Sequence, residues 1–192
     1  MYHISIFASG NGSNAEAIIH HFRESDLARV ELILTNKQDA FVIERAARNN
    51  TPAVIFSKTD LYDSDAVMEH LSQFKTDIVV LAGFLWLIPF KMLQSYPGRI
   101  INIHPALLPE FGGKGMYGSK VHEAVIRAGK TESGITIHLI DHEYDKGKFL
   151  FQAKCPVYPD DTAETLAMRI HGLEYQYFPG VIDRFIRGIR DK

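Results

Sequence analysis

Asn102 and His104 stand two residues apart in the run Arg-Ile-Ile-Asn-Ile-His-Pro, so an extended backbone turns both side chains to one face. Pro105 cannot donate into a strand ladder and ends the run, leaving an amide and an imidazole side by side at a carboxyl end. Such a pair can hold a carbonyl oxygen and move a proton. The same spacing also fits a polar pair that only finishes a strand. A second candidate is Ser9-Gly10-Asn11-Gly12-Ser13-Asn14, which follows an apolar run at residues 4–8 and precedes Ala15, Ile18, Ile19 and Phe22 at helical spacing. A glycine loop entering a helix presents the unpaired amides of the first turn, with Ser13 and Asn14, to an anion such as a phosphate. The loop lacks the lysine of a triphosphate-binding loop and the third glycine of the dinucleotide fingerprint. A turn that merely caps the helix is the plainer alternative.

Further along, Gly83-Phe84-Leu85-Trp86-Leu87-Ile88-Pro89 sets large apolar side chains on a connection, either as core or as the wall of a slot for a flat ligand. Residues 111–118 pack four glycines into eight positions and read as a mobile loop able to close over a site. Residues 141–148 hold Asp141, His142, Glu143 and Asp145, a charged loop that most often is only a solvated turn. His171 and Glu174 share a helix face, as a surface pair or as contacts for a polar ligand. His122 reads as a surface or helix-packing residue.

The elements that must carry these groups alternate. Strands are expected near residues 4–8, 30–34, 52–56, 77–82 and 99–104, with helices near 13–22, 40–48, 64–74 and 90–95 between them, which is the rhythm of a parallel sheet. Residues 135–140 and 149–154 then predict an antiparallel pair added to that sheet. A helix near residues 121–128 precedes the pair. A long amphipathic helix begins near Thr162 and packs across the sheet, with Pro179 expected to kink or divide it. No repeat or linker interrupts the 192 residues, so a single α/β domain over residues 1–192 is expected.

Composition narrows the function. With 21 basic against 23 acidic residues and no basic run, nonspecific nucleic-acid binding is disfavoured. The longest apolar run is broken by Gly83 and far too short to span a membrane, and Met1-Tyr2-His3 leads straight into strand-like sequence without a secretory leader. Cys155 is the only cysteine, so neither an internal disulfide nor a thiol metal cluster is expected, and a reducing cytoplasm is the expected compartment.

Taken together, the 9–14 loop, Ile101-Asn102-Ile103-His104-Pro105-Ala106-Leu107-Leu108-Pro109, Ser133-Gly134-Ile135-Thr136-Ile137-His138 and the acidic loop ending Asp145-Lys146-Gly147 resemble, in order, the signatures of the phosphoribosylglycinamide formyltransferases of the folate-dependent formyltransferase family. The resemblance implies a Rossmann-like formyltransferase fold and formyl transfer from 10-formyltetrahydrofolate, as co-substrate, to the amine of glycinamide ribonucleotide in purine biosynthesis. It implies Asn102, His104 and Asp145 as the catalytic trio, and a ribonucleotide site of Gly12, Ser13, Asn14, His171, Gly172, Leu173 and Glu174. The folate would meet Leu85, Trp86, Leu87, Ile88, Asn102, Asp141, His142, Glu143, Tyr144 and Asp145, with no metal. Trp86, His142 and Lys146 depart from the commoner residues at their positions, and the glycine-rich loop is longer than in several relatives, which bears on the folate and lid contacts. The expected partners are these small molecules, without nucleic acid or membrane, in a monomer or homodimer. Three other enzymes are alternatives, and the first of them would share the trio. A formyltetrahydrofolate hydrolase is disfavoured by the phosphate loop and the lack of an amino-terminal regulatory domain, and a methionyl-tRNA formyltransferase by the lack of a further RNA-binding domain. A nucleotide-sugar formyltransferase is separable by its acceptor, and a non-catalytic phosphate-binding module would need the loop but not the trio.

Overall fold

The computed structural model describes residues 1–141, 145 and 147–191. Among these, seven strands and seven helices follow in the order β1 (Tyr2–Phe7), α1 (Ser13–Phe22), β2 (Ala28–Thr35), α2 (Val42–Arg48), β3 (Ala53–Ile55), α3 (Lys58–Tyr62), α4 (Ala66–Gln73), β4 (Ile78–Leu81), α5 (Phe90–Ser95), β5 (Ile100–His104), α6 (Ser119–Arg127), β6 (Glu132–Leu139), β7 (Phe149–Pro156) and α7 (Ala163–Arg190). The strands make one sheet in the order β3-β2-β1-β4-β5-β6-β7. The first five run parallel, while β6 lies antiparallel to both β5 and β7. The expected α/β sheet with an antiparallel carboxyl-terminal pair is therefore observed.

Both faces of the sheet are covered because its central strands are apolar on both sides. Ile4, Ile6, Val80 and Ile101 face one core with residues of α1, α2, α6 and α7, while Phe7, Val79, Leu81 and Ile100 face another with α3, α4 and α5. The sequence pattern missed α3, a five-residue helix opened by a capping box between Ser57 and Asp60. Pro179 does not divide α7, which runs unbroken for 28 residues. The lost backbone donor, a cost of about 3 kcal/mol inside a helix, is offset where Phe178, Pro179, Val181 and Ile182 are all buried against the core.

This strand order positions the site. Chain leaves β1 toward one side of the sheet and β4 toward the other, so the connections diverge at the carboxyl ends of these neighbours and open a crevice between them.

Candidate active site

A cavity of about 800 Å³ fills that crevice. Its wall brings together Gly12, Ser13, Asn14, Leu85, Trp86, Leu87, Ile88, Asn102, His104, Asp141, Asp145, His171 and Glu174, residues expected in the site from sequence. Gly172 and Leu173 do not border it. On a helix the residue three positions on returns to the same face, so His171 and Glu174 share the cavity while Leu173 packs into the core and Gly172 lies exposed. His142, Glu143 and Tyr144 lie outside the described residues.

At one end of the cavity is the glycine loop. Gly12 caps α1 in the left-handed region at φ 76° with no side chain bonded to the first turn, so the amides of that turn face the cavity unclaimed. Arg45 fixes the loop from behind, donating from Nε to the Asn11 carbonyl at 2.9 Å and from Nη2 to Asn11 Oδ1 at 2.8 Å, and it pairs with Glu16. Ser9 ties the loop to the Leu85 connection, its Oγ accepting from the Leu85 amide at 3.2 Å. Across the fold, Glu174 Oε2 accepts from Asn14 Nδ2 at 2.8 Å and from His171 Nδ1 at 2.9 Å. That bond to Glu174 outweighs burial and raises the His171 pKa above its ordinary value, favouring the cation.

The trio sits further along the wall. Leu139 O and Phe111 O can only accept, so each histidine tautomer is determined by its carbonyl partner. His138 Nδ1 donates to Leu139 O at 3.0 Å, which leaves Nε2 facing both Asn102 Nδ2 at 3.1 Å and Asp145 Oδ1 at 3.6 Å. The cross-strand register pairs Asn102 directly with His138. His104 Nε2 donates to Phe111 O at 2.8 Å, so the bare Nδ1 faces Asp145 Oδ2 across 3.7 Å. Burial holds the His104 pKa below its ordinary value, opposed by Asp145 and the Phe111 carbonyl and reinforced by His138, so the ring rests neutral near pH 7. Asp145 favours the cation, but burial of the ring outweighs it. Burial also raises the Asp145 pKa, yet His138, the Gly113 amide and His104 overcome this and hold it below the usual carboxylate value.

Two polar residues hold the turn beyond His104. Thr136 Oγ1 donates to Ala106 O at 2.7 Å and accepts from the Leu108 amide at 2.9 Å, while Gln152 Nε2 reaches Leu108 O at 3.0 Å. The glycine-rich loop is tied to the same centre by Phe111 O on His104 and by the Gly113 amide on Asp145 Oδ2 at 2.8 Å.

Sequence reasoning missed His122 and His138. His122 is only 4% exposed and borders the cavity, although it reads as a surface or packing residue. His138 is fully buried beside the trio, and its signal was a histidine that follows Ile135 and Ile137 in an alternating strand. Among the described residues no cluster of three His, Cys, Asp or Glu side chains could hold a metal ion.

The chain is similar to known proteins over most of its length. Residues 2–182 match the family described as formyl transferase. The phosphoribosylglycinamide formyltransferase of Bacillus subtilis is 37% identical over 191 residues, covering 97% of this chain and 95% of that one. The chloroplastic phosphoribosylglycinamide formyltransferase of Arabidopsis thaliana is 41% identical over 185 residues; the match covers 93% of this chain, which spans 63% of the plant protein's length. The crystal structure of glycinamide ribonucleotide transformylase 1 from Symbiobacterium toebii superposes with a TM-score of 0.90 at 34% identity, covering 98% of this chain and 89% of that one.

Proposed function

The chain belongs to the formyl transferase family, and we propose that it transfers a formyl group from 10-formyltetrahydrofolate to the amine of glycinamide ribonucleotide, a step of purine biosynthesis. The observation that carries this reading is that the anion-binding end of α1, the Asn14–Glu174–His171 cluster and the trio all open into one cavity. The acceptor's phosphate would sit on Gly12, Ser13 and Asn14, with His171 and Glu174 beside it and Gly172 and Leu173 supporting that turn. The folate would lie along Leu85, Trp86, Leu87 and Ile88 and against Asn102, Asp141 and Asp145, with His142, Glu143 and Tyr144 assigned from sequence alone.

The chemistry follows from the hydrogen bonds. The amine attacks the formyl carbon, and the carbonyl oxygen becomes an oxyanion. Asn102 spends one N–H on His138, which leaves the second for that oxyanion. His104 Nδ1 and Asp145 Oδ2 are two acceptors facing each other, so a proton arriving from the attacking amine converts their contact into a charged hydrogen bond. Returned to the folate nitrogen as the carbon–nitrogen bond breaks, that proton completes the transfer and restores the neutral ring. No step requires a metal.

The acceptor decides between this reading and its neighbours. A formyl-transfer assay offering glycinamide ribonucleotide, an amino sugar nucleotide and water alone should show transfer to the first, and equal folate turnover without it would favour a hydrolase. The protein is assigned one formyltransferase domain over residues 1–192, small-molecule partners only, and a monomeric or homodimeric state. Among the described residues no helix is long and apolar enough to cross a membrane, and the lone Cys155 suits the cytoplasm.

A further inference from the structure

Among the described residues, four that are not glycine sit on a backbone of positive φ. Asn50 and Lys75 follow the caps of α2 and α4, where the left-handed region is an ordinary way to end a helix. The other two, Phe111 at 54° and Asp145 at 56°, follow no helix and belong to the catalytic centre. A bulky residue such as Phe rarely adopts this conformation, which persists only where the surroundings impose it. The Phe111 ring supplies one constraint by packing, half-buried, against the core on the α7 side of the sheet, with Lys130 Nζ 6.0 Å from its centroid. Gly112 supplies another. A Cβ there would lie 2.5 Å from Leu108 Cδ2 and 3.2 Å from Asp145 Cβ, so its backbone lies directly against the aspartate.

The peptide groups on either side of Gly112 take opposite partners. Phe111 O accepts from His104 Nε2 at 2.8 Å, and the Gly113 amide donates at 2.8 Å to Asp145 Oδ2, the same oxygen that faces His104 Nδ1 across 3.7 Å. These bonds decide a competition for one proton. A carboxylate is a better acceptor than a carbonyl, so without Phe111 O the ring would carry its proton on Nδ1 and bond Asp145. Nδ1 would then have no lone pair for the proton of the attacking amine. Resting on the formyl transfer proposed above, we infer that Phe111 is a positioning residue: its anchored ring and left-handed backbone hold its carbonyl on His104 Nε2 and so keep Nδ1 bare for catalysis. Phe111 does not border the cavity, so its loss acts on kcat and on neither KM.

The test reads the tautomer by nitrogen NMR of the protein labelled at histidine, with His104 identified by the signals that vanish in His104→Ala. At neutral pH the wild-type His104 ring should carry its proton on Nε2, and the ring in Phe111→Ala, which lacks the anchor, on Nδ1. The stronger bond to a carboxylate should leave about one ring in ten or fewer competent in that variant, so kcat should fall about tenfold or more with both KM values within about twofold. Phe111→Tyr, which keeps a ring in the core, should recover the Nε2 proton and most of the rate. A wild-type ring protonated on Nδ1 overturns the inference. So does a Phe111→Ala ring still protonated on Nε2, whatever its rate, or a Tyr variant no better than Ala. The tautomer is read without substrate, so a wild type with its proton on Nε2 and no transfer to glycinamide ribonucleotide would refute the acceptor reading alone.

Discussion

His104 and Asp145 meet through a nitrogen and an oxygen that both lack a proton, so the pair is at rest until substrate supplies one. Its pH behaviour follows in sign. An unfolded histidine takes up its proton near 6.5 and the buried His104 only below that, so the folded state loses stability as pH falls below about 6.5. Activity should fall over the same acid range as His104 fills with a proton before the amine can deliver one. Asp145 raises the His104 pKa, so Asp145→Asn should move the acid limb of kcat/KM to lower pH while reducing the rate; a limb left in place would refute the pairing. Losses in His104→Ala and Asp145→Asn should fall well short of multiplying in the double variant, because each residue works through the other. Asn102→Ala should reduce kcat about 10²-fold or more with little change in either KM, since its free N–H meets a charge that exists only during transfer.

Among the elements, the loop before α1 shows how two glycines in one motif differ. A Cβ on Gly12 would lie 2.4 Å from Val42 Cγ2, in a backbone conformation at φ +76° that side chains rarely adopt, whereas Gly10 has nothing within 4 Å. Gly12→Val, an obvious probe of the anion site from sequence, would therefore displace α2 and lower the melting temperature. Gly10→Ala is the cleaner probe, and should raise the ribonucleotide KM with the melting temperature nearly unchanged; a loss of stability equal to that of Gly12→Ala would contradict this. The 111–118 loop is held at its start by two hydrogen bonds into the trio, and beyond them Gly113, Gly115 and Gly118 all have positive φ. Amide exchange across residues 114–118 should slow when both substrates are bound, and exchange already slow in the free protein would mark a static loop. Because Phe111 O bonds His104 and the Gly113 amide bonds Asp145, a loop that swings away removes the partner that sets the His104 tautomer and a donor that holds Asp145.

For the whole molecule, the bond between Asn14 and Glu174 braces α1 against α7. Saturating glycinamide ribonucleotide at about 100 times its dissociation constant should stabilise the fold by about 2.7 kcal/mol, read as a rise in melting temperature. Glu174→Ala should abolish most of that rise, and also lower the unliganded stability by about 1–3 kcal/mol, since it leaves Asn14 Nδ2 without its partner. The sheet was legible because its signals are local: apolar strands, helical spacing, and glycine or proline where elements end. Asn102, His104 and the 9–14 loop were legible for the same reason, each lying at a strand end. His138 and His122 were not, because the first matters only through its cross-strand register with Asn102 and the second only through the packing of α6 against α7. The bond between Asn14 and Glu174 joins residues 160 apart. During synthesis the loop is made well before the carboxylate that it binds, so a product truncated before α7 would lack the Asn14–Glu174 contact even if its sheet had formed.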